Sequence, residues 1–367
     1  MKFTEKQILE ALSHVDDPDI KKDLVTLNMI DNVKIDGKKI SFKLVLTTPA
    51  CPLKESIKRA CIDAIHTYVD KDAEVDVELS SKVTTKRKEA DAIMPGVKNI
   101  IAVASGKGGV GKSTVAANLA ISLAKTGAKV GLIDADIYGP SMPMMFDLIN
   151  VQPKIIEQNG KTKIIPVEKY GVKLLSIGFF VEPDKALLWR GPMASSALNQ
   201  LFSDSEWGEL DYMVIDLPPG TGDIHLTLVQ SLAVTGAVIV STPQEVALAD
   251  ARKGISMFKL KEVNVPVLGL VENMAYFTPA ELPDNKYYIF GKEGCSRLAK
   301  EMKVPLLGQI PLVQSICESG DIGNPISLIE DSSVTEAFKI LAENVAQQIA
   351  IRNVMMEPTK VVEITAK

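Results

Sequence analysis

The sequence predicts an α/β protein: a doubly wound, mostly parallel sheet with a small α/β domain in front of it. Three observations carry this. Short apolar runs recur from residue 99 onward: IIAVAS, KVGLIDAD, YMVIDLPP, AVIVSTP, VPVLGLVENM and LLGQIP. Each suits a parallel strand buried on both faces. Helical stretches separate them, and strand alternating with helix is the pattern of a doubly wound domain. Finally, the run IIAVAS leads directly into a glycine-rich loop, SGKGGVGKST at 105–114, and then into a helix. In such folds ligands sit at the carboxyl ends of the strands.

The 367 residues suffice for two domains and a sizeable core. Hydrophobic residues make up 46% and charged residues 24%, the balance of an ordinary globular protein. The net charge of -5 argues against a nucleic-acid partner. MKFTEKQILEALSHV intersperses charges among its apolar residues, unlike a secretory signal, and no apolar run approaches a membrane span. Cys51, Cys61, Cys295 and Cys317 are far apart and form no disulfide-dense pattern. These features predict a cytoplasmic protein with no membrane partner.

The small domain is expected over 1–80. KQILEALSHV has helical spacing, and KKISFKLVLTT alternates as a strand after a turn at Asp36-Gly37. CPLKESIKRACIDAIHTYV is helical, with Pro52 in its first turn, and EVDVEL at 74–79 alternates as a second strand. The aperiodic, charged stretch 81–98 reads as a linker, 99–356 as the larger domain, and 357–367 as a frayed, flexible tail. The last helix, VTEAFKILAENVAQQIAIRNVMM, offers only Lys339 and Arg352 as basic residues, so it is expected to pack on the domain rather than bind a membrane.

Gly106-x4-Gly111-Lys112-Ser113 fits the phosphate-loop pattern in its required strand–loop–helix context. Glycines let the backbone curl so that N–H groups face phosphate oxygens, and the helix N-terminus adds positive potential. Gly106, Lys107, Gly108, Gly109, Val110, Gly111, Lys112, Ser113 and Thr114 therefore form the predicted nucleotide cradle. Lys112 reaches the β- and γ-phosphates, and the Ser113 hydroxyl holds Mg²⁺. Asp216 ends the strand YMVID, where a buried carboxylate is costly unless a metal lies near. Asp134 and Asp136 end another strand, GLIDAD. One of the two orients the attacking water; Asp136 is assigned that role, and Asp134 joins Ser113 and Asp216 around the Mg²⁺. Gly220 and Gly222 allow a mobile loop that senses the γ-phosphate, with Asp223 either functional or solvating and capping.

KGGVGKST, with its early lysine, resembles the deviant phosphate-loop group that includes MinD, ParA and the nitrogenase iron protein. That resemblance implies a homodimer bound through ATP, in which Lys107 reaches the partner's phosphates. DADIYGPSMP, LLWRGPM, DLPPGTGD, STPQEVALADARKG, VENMAYF and GQIPLVQSI are similar to the Mrp/ApbC-type iron–sulfur cluster carrier ATPases across most of 99–356. HVDDPDIKKDLVTLNMI and LTTPACPLK resemble the small cysteine-bearing domain of iron–sulfur assembly factors. The resemblance implies a slow, Mg-dependent ATPase that passes iron–sulfur clusters to apoprotein clients alongside other assembly proteins, with Asn273 contacting the adenine. The alternatives are a MinD/ParA-like positioning ATPase and a cluster-free maturation ATPase.

One departure bears on the cluster. The family's C-x-x-C pair follows VENM, yet here AYFTPAELPDNKYYIFG, 275–291, holds no cysteine. Glu281 and Asp284 are hard ligands unsuited to replace thiolates. Cys295, beside a glycine at a helix start, is a reactive thiol or a small packed residue. Cys51, between a strand and a helix, is a thiolate or a packing residue; Cys51 and Cys295 are the candidate cluster thiols. Cys61 and Cys317 read as packing residues. His14, His66 and His225 show no metal-ligand spacing. Trp189 and Arg190 either meet a partner or pack within the fold.

Overall fold

The computed structural model describes residues 3–87, 93–158, 160–180, 191–279, 281–282, 284–330 and 332–362. The expectation for Trp189 and Arg190 lies outside them. The chain divides into two units, 1–85 with 346–357, and 86–345 with 358–367. Residues 346–356, which the sequence placed at the end of the larger domain, group with the first unit together with residue 357.

The first unit holds α1 (Glu5–Leu12), β1 (Ile30–Asp36), β2 (Lys39–Leu46), α2 (Lys54–Tyr68) and β3 (Glu74–Ser81). A reciprocal cap starts α1: the Thr4 side chain accepts from the Gln7 backbone N–H, and the Gln7 side chain accepts from that of Thr4. Ile8, Ala11 and Leu12 form its buried face. β2 is the central strand, antiparallel to β1 and parallel to β3. Ile40, Phe42, Leu44 and Leu46 alternate inward and share one core with Ile57, Cys61 and Ile65 of α2. On the other face Lys43 Nζ lies 3.2 Å from Glu78 of β3. β1 escaped the sequence reading because it is an irregular edge: Asp31 and Lys34 are out of register, and Asn32 has a positive φ.

The second unit begins with β4 (Val97–Ala104), α3 (Lys112–Lys125), β5 (Val130–Asp134) and α4 (Met142–Met145). Then come a hairpin, β6 (Lys154–Gln158) and β7 (Lys161–Ile165), and β8 (Val167–Lys169), β9 (Val172–Ser176) and α5 (Gly191–Ser203). β10 (Leu210–Asp216), α6 (Asp223–Ser231), β11 (Gly236–Ser241), α7 (Glu245–Lys259) and β12 (Val267–Glu272) follow. α8 (Gly294–Met302), β13 (Leu306–Gln309), α9 (Gln314–Asp321) and residues 333–345 of α10 (Ser333–Met355) complete the order, the later residues of α10 grouping with the first unit.

The main sheet runs β13-β12-β11-β4-β10-β5-β9-β8, parallel except for the edge strand β8. Ile101, Val103, Val214, Ile215, Val238 and Ile239 are wholly buried, as strands covered on both faces require. The parallel register brings the carboxyl ends of β4, β5 and β10 together: Asp216 pairs with Val103 on one side and with Asp134 on the other.

Two expectations about non-core segments change. The stretch 358–362 is bound: the Thr359 N–H donates to Lys86 O (3.1 Å), and that of Val362 to Val229 O (2.9 Å). Backbone pairing therefore holds this part of the tail; 363–367 lie outside the described residues. Within the linker, the Arg87 guanidinium donates to the carbonyls of Ile93, Met94 and Val97. The final helix buries Phe338, Leu341, Val345 and Ile349, and Asn344 donates to Leu307 O. Among the described residues, no helix is long and apolar enough to cross a membrane.

Candidate nucleotide site

The loop after β4 is shaped by its glycines. Gly109 and Gly111 have φ of 80° and 78°, the left-handed region that β-carbons resist. Gly106 faces the backbone of Asp250 in α7 so closely that a Cβ would collide with it. Gly111 forms the N-cap of α3 without any side-chain cap, so the first N–H groups of the helix remain available to an anion.

Lys112 opens α3 and is buried. Its Nζ donates to Asp216 Oδ1 at 2.6 Å and to Ser113 Oγ at 3.1 Å, with Asp136 Oδ2 at 3.8 Å. The second Asp216 oxygen, Oδ2, is buried and has no hydrogen-bond partner among the described residues. Burial raises the Asp216 carboxyl despite the Lys112 charge beside it. Burial and the Asp216 charge push Asp134 to about 7. Burial likewise raises Asp136.

Asp134 has both oxygens engaged. Oδ1 accepts from the Asp136 N–H, and Oδ2 from the Met142 N–H and the Ser176 hydroxyl. Asp134 thus fixes the turn 134–142, and Ser176 is a contributor the sequence reading missed; nothing in its local sequence distinguishes it. Lys107 is exposed, and Ser105 Oγ donates to its carbonyl. The loop after β10 leans on the same place, since the Gly220 N–H donates to Ser105 O at 2.9 Å. Gly222 is the N-cap of α6; the side chain of Asp223 lies outside the described residues.

A cavity of about 270 Å³ adjoins the start of α3. Gly111, Thr114, Asn273, Met274, Leu312, Ile316 and Cys317 line it. Asn273 is buried, and its Nδ2 donates to Val110 O at 2.8 Å, tying the end of β12 to the phosphate loop. The cavity is largely apolar, a shape suited to a flat base next to a phosphate site.

The thiols are scattered, and none of the four is in a disulfide. Cys295 is wholly buried, and its thiol is pushed up by burial and by the Glu272 carboxylate. Of the two readings of Cys295, a reactive thiol or a small packed residue, this burial fits the second. Glu272 already accepts the Cys295 N–H at 2.8 Å and so neutralises the helix end that would have favoured a thiolate. Cys61 is likewise buried and raised to about 12. Cys51 is half-buried and packs against the core of the first unit; Cys317 is exposed. In 275–291, Phe277 pairs with Tyr287, and Lys286 Nζ sits 4.1 Å from the Tyr276 ring centre.

Comparison with known proteins gives two family matches. Residues 96–346 match the family described as NUBPL iron-transfer P-loop NTPase, and residues 5–77 the family described as iron–sulfur cluster assembly protein. An iron–sulfur cluster carrier protein of Synechocystis sp. is 46% identical over 353 residues, covering 95% of this chain and 99% of its own. That of Escherichia coli K12 is 44% identical over 341 residues, covering 92% and 90%. A nucleotide-binding protein of Archaeoglobus fulgidus, solved in complex with ADP, superposes with a TM-score of 0.58 at 37% identity, covering 68% of this chain and 97% of its own.

Proposed function

The chain belongs to the iron-transfer P-loop NTPase family, and we propose that it hydrolyses ATP as a nucleotide-dependent homodimer that carries iron–sulfur clusters to apoprotein clients. One observation carries the ATPase part: a buried lysine and a buried carboxylate meet beneath a glycine loop whose helix start is uncapped.

In this reading the loop 106–114 wraps the phosphates, and Lys112 leaves Asp216 to meet the β- and γ-oxygens. The unpaired Asp216 Oδ2 and the Ser113 hydroxyl are hard oxygen donors that fit Mg²⁺, with Asp134 behind them. When bound, that ion offsets charge on the phosphates. Asp136 orients the attacking water. Lys107, exposed on the loop, reaches across to a second copy, and Asn273 borders the cavity that takes the adenine.

The cluster is cargo. Soft thiolates are what it requires. The segment 275–291 has none, and Cys61 and Cys295 are buried and protonated. Cys51, in the unit that matches the assembly family, is the thiol we assign to cargo contact, with client or assembly-protein thiols completing the set. The protein is proposed to work in the cytoplasm, without membrane or nucleic acid.

The test is anaerobic reconstitution with iron and sulfide on wild type, Cys51→Ala and Cys295→Ala, with ATP turnover measured on the same samples. Cluster lost only in Cys51→Ala supports the carrier reading. No cluster in any sample, with turnover intact, favours a cluster-free maturation ATPase. Lys107→Ala is expected to bind ATP and lose turnover.

A further inference from the structure

His225 is a buried titratable side chain with no role in the ATPase machinery described. It stands in the first turn of α6, 1% exposed, and its backbone N–H donates to Gly222 O. Among the described residues neither Nδ1 nor Nε2 has a hydrogen-bond partner of good geometry, although the Gly222 backbone lies near enough to oppose the downward shift of the ring. Burial and the Lys112 charge hold the ring at about 4, so it is neutral near pH 7, with one nitrogen able to donate and the other to accept.

The position matters. β10 ends at Asp216 and α6 begins at Asp223. An unpaired buried oxygen, Asp216 Oδ2, closes one end of the connection 217–222, and an unpaired buried imidazole closes the other. The connection itself is two stiff prolines, Pro218 and Pro219, followed by Gly220 with φ 95° and by Gly222. Gly220 is tied to Ser105 of the phosphate loop. The body of α6 is anchored separately, Thr227 Oγ1 lying 2.9 Å from Ser195 Oγ of α5. Hinge glycines, a stiff arm and an unpaired buried ring at the start of α6 describe a connection that can gain a hydrogen bond by moving.

We propose that His225 is a positioning residue for ATP turnover: its ring pairs with the 217–222 connection when that connection closes on the γ-phosphate, and so favours the closed arrangement. The inference rests on the ATP-site reading above. It makes a prediction of opposite signs. An unpaired buried imidazole is a burden on the arrangement seen here, so an apolar replacement relieves it. The same replacement removes the partner needed on closure.

The experiment compares wild type, His225→Leu and His225→Gln. Thermal midpoints are measured without added nucleotide, and kcat and KM for ATP with Mg²⁺. The expected result for His225→Leu is an unchanged or higher Tm, kcat lower by about tenfold or more, and KM within about twofold. His225→Gln, which keeps a neutral donor and acceptor, recovers most of kcat. Wild-type kcat in His225→Leu, a lowered Tm in that variant, or no recovery in His225→Gln each overturns the inference while the ATP site stands. No turnover in wild type overturns the ATP reading, and the inference with it.

Discussion

Lys112 Nζ lies 2.6 Å from Asp216 Oδ1, and both side chains are buried. The first residue of α3 is thus clamped to the last residue of β10. The two partners are not equivalent. Asp216→Ala strands an ammonium with only Ser113 Oγ and the more distant Asp136, and breaking a buried pair this way costs about 3–5 kcal/mol. Lys112→Ala leaves a carboxyl already raised by burial, which escapes by taking up a proton. Urea unfolding at pH 7 and pH 5.5 is expected to show a loss in Lys112→Ala that shrinks at the lower pH, and a loss in Asp216→Ala that does not.

Asp134 sets a pH dependence of its own. Its carboxyl is raised from 3.8 to about 7 in the fold. Between those values the folded chain holds a proton that the unfolded chain has released. The stability contribution is therefore full below the lower value and is lost as pH rises through about 7. Asp134→Asn is expected to flatten the fall in unfolding free energy over this window. Asp216→Asn removes the second cause of the shift and is expected to move the window to lower pH. Urea midpoints across pH 4–8 for wild type and both variants check it; parallel curves would contradict it.

The phosphate loop has two different glycine constraints. Gly106→Ala drives a Cβ into the Asp250 backbone, which no rotamer relieves. Gly111→Ala combines a φ of 78° with a collision at Asn273 Nδ2, the atom that holds Val110 O. Both variants are expected to lose ATP binding by calorimetry. Gly109→Ala meets no atom within 4 Å and suffers only its φ of 80°, so it is expected to bind more weakly rather than not at all.

The sequence showed the parallel strands and the phosphate loop because both write themselves locally: buried runs such as IIAVAS, and glycines at fixed offsets from Lys112. It also singled out Asp134, Asp136 and Asp216 from their places at strand ends. What it missed depends on partners distant in the chain. Ser176 matters only because β9 lies beside β5, and Cys295 is silenced by Glu272, 23 residues earlier. The unpaired His225 ring depends on three-dimensional burial, which HLTLVQ does not announce. The edge strand β1 and the pairing of Thr359 with Lys86 left no periodic signature either.

The thiols provide the last test, because they report on both units at once. Cys317 is exposed and lines the cavity beside Gly111 and Asn273. The Asp321 carboxylate raises it, so its reaction is slow but accessible. Cys51 is half-buried in the other unit, while Cys61 and Cys295 are closed off. A chromogenic disulfide reagent should therefore reach Cys317 and Cys51 in the native protein, and Cys61 and Cys295 only after unfolding. A base seated in the cavity covers Cys317 and leaves Cys51 untouched. Mg·ATP is expected to slow labelling of Cys317 by about tenfold, with Cys51 as the internal control. Equal slowing at both thiols would point to global tightening instead. Unchanged labelling of Cys317 under saturating ATP would remove the cavity, and Asn273 with it, from the nucleotide site.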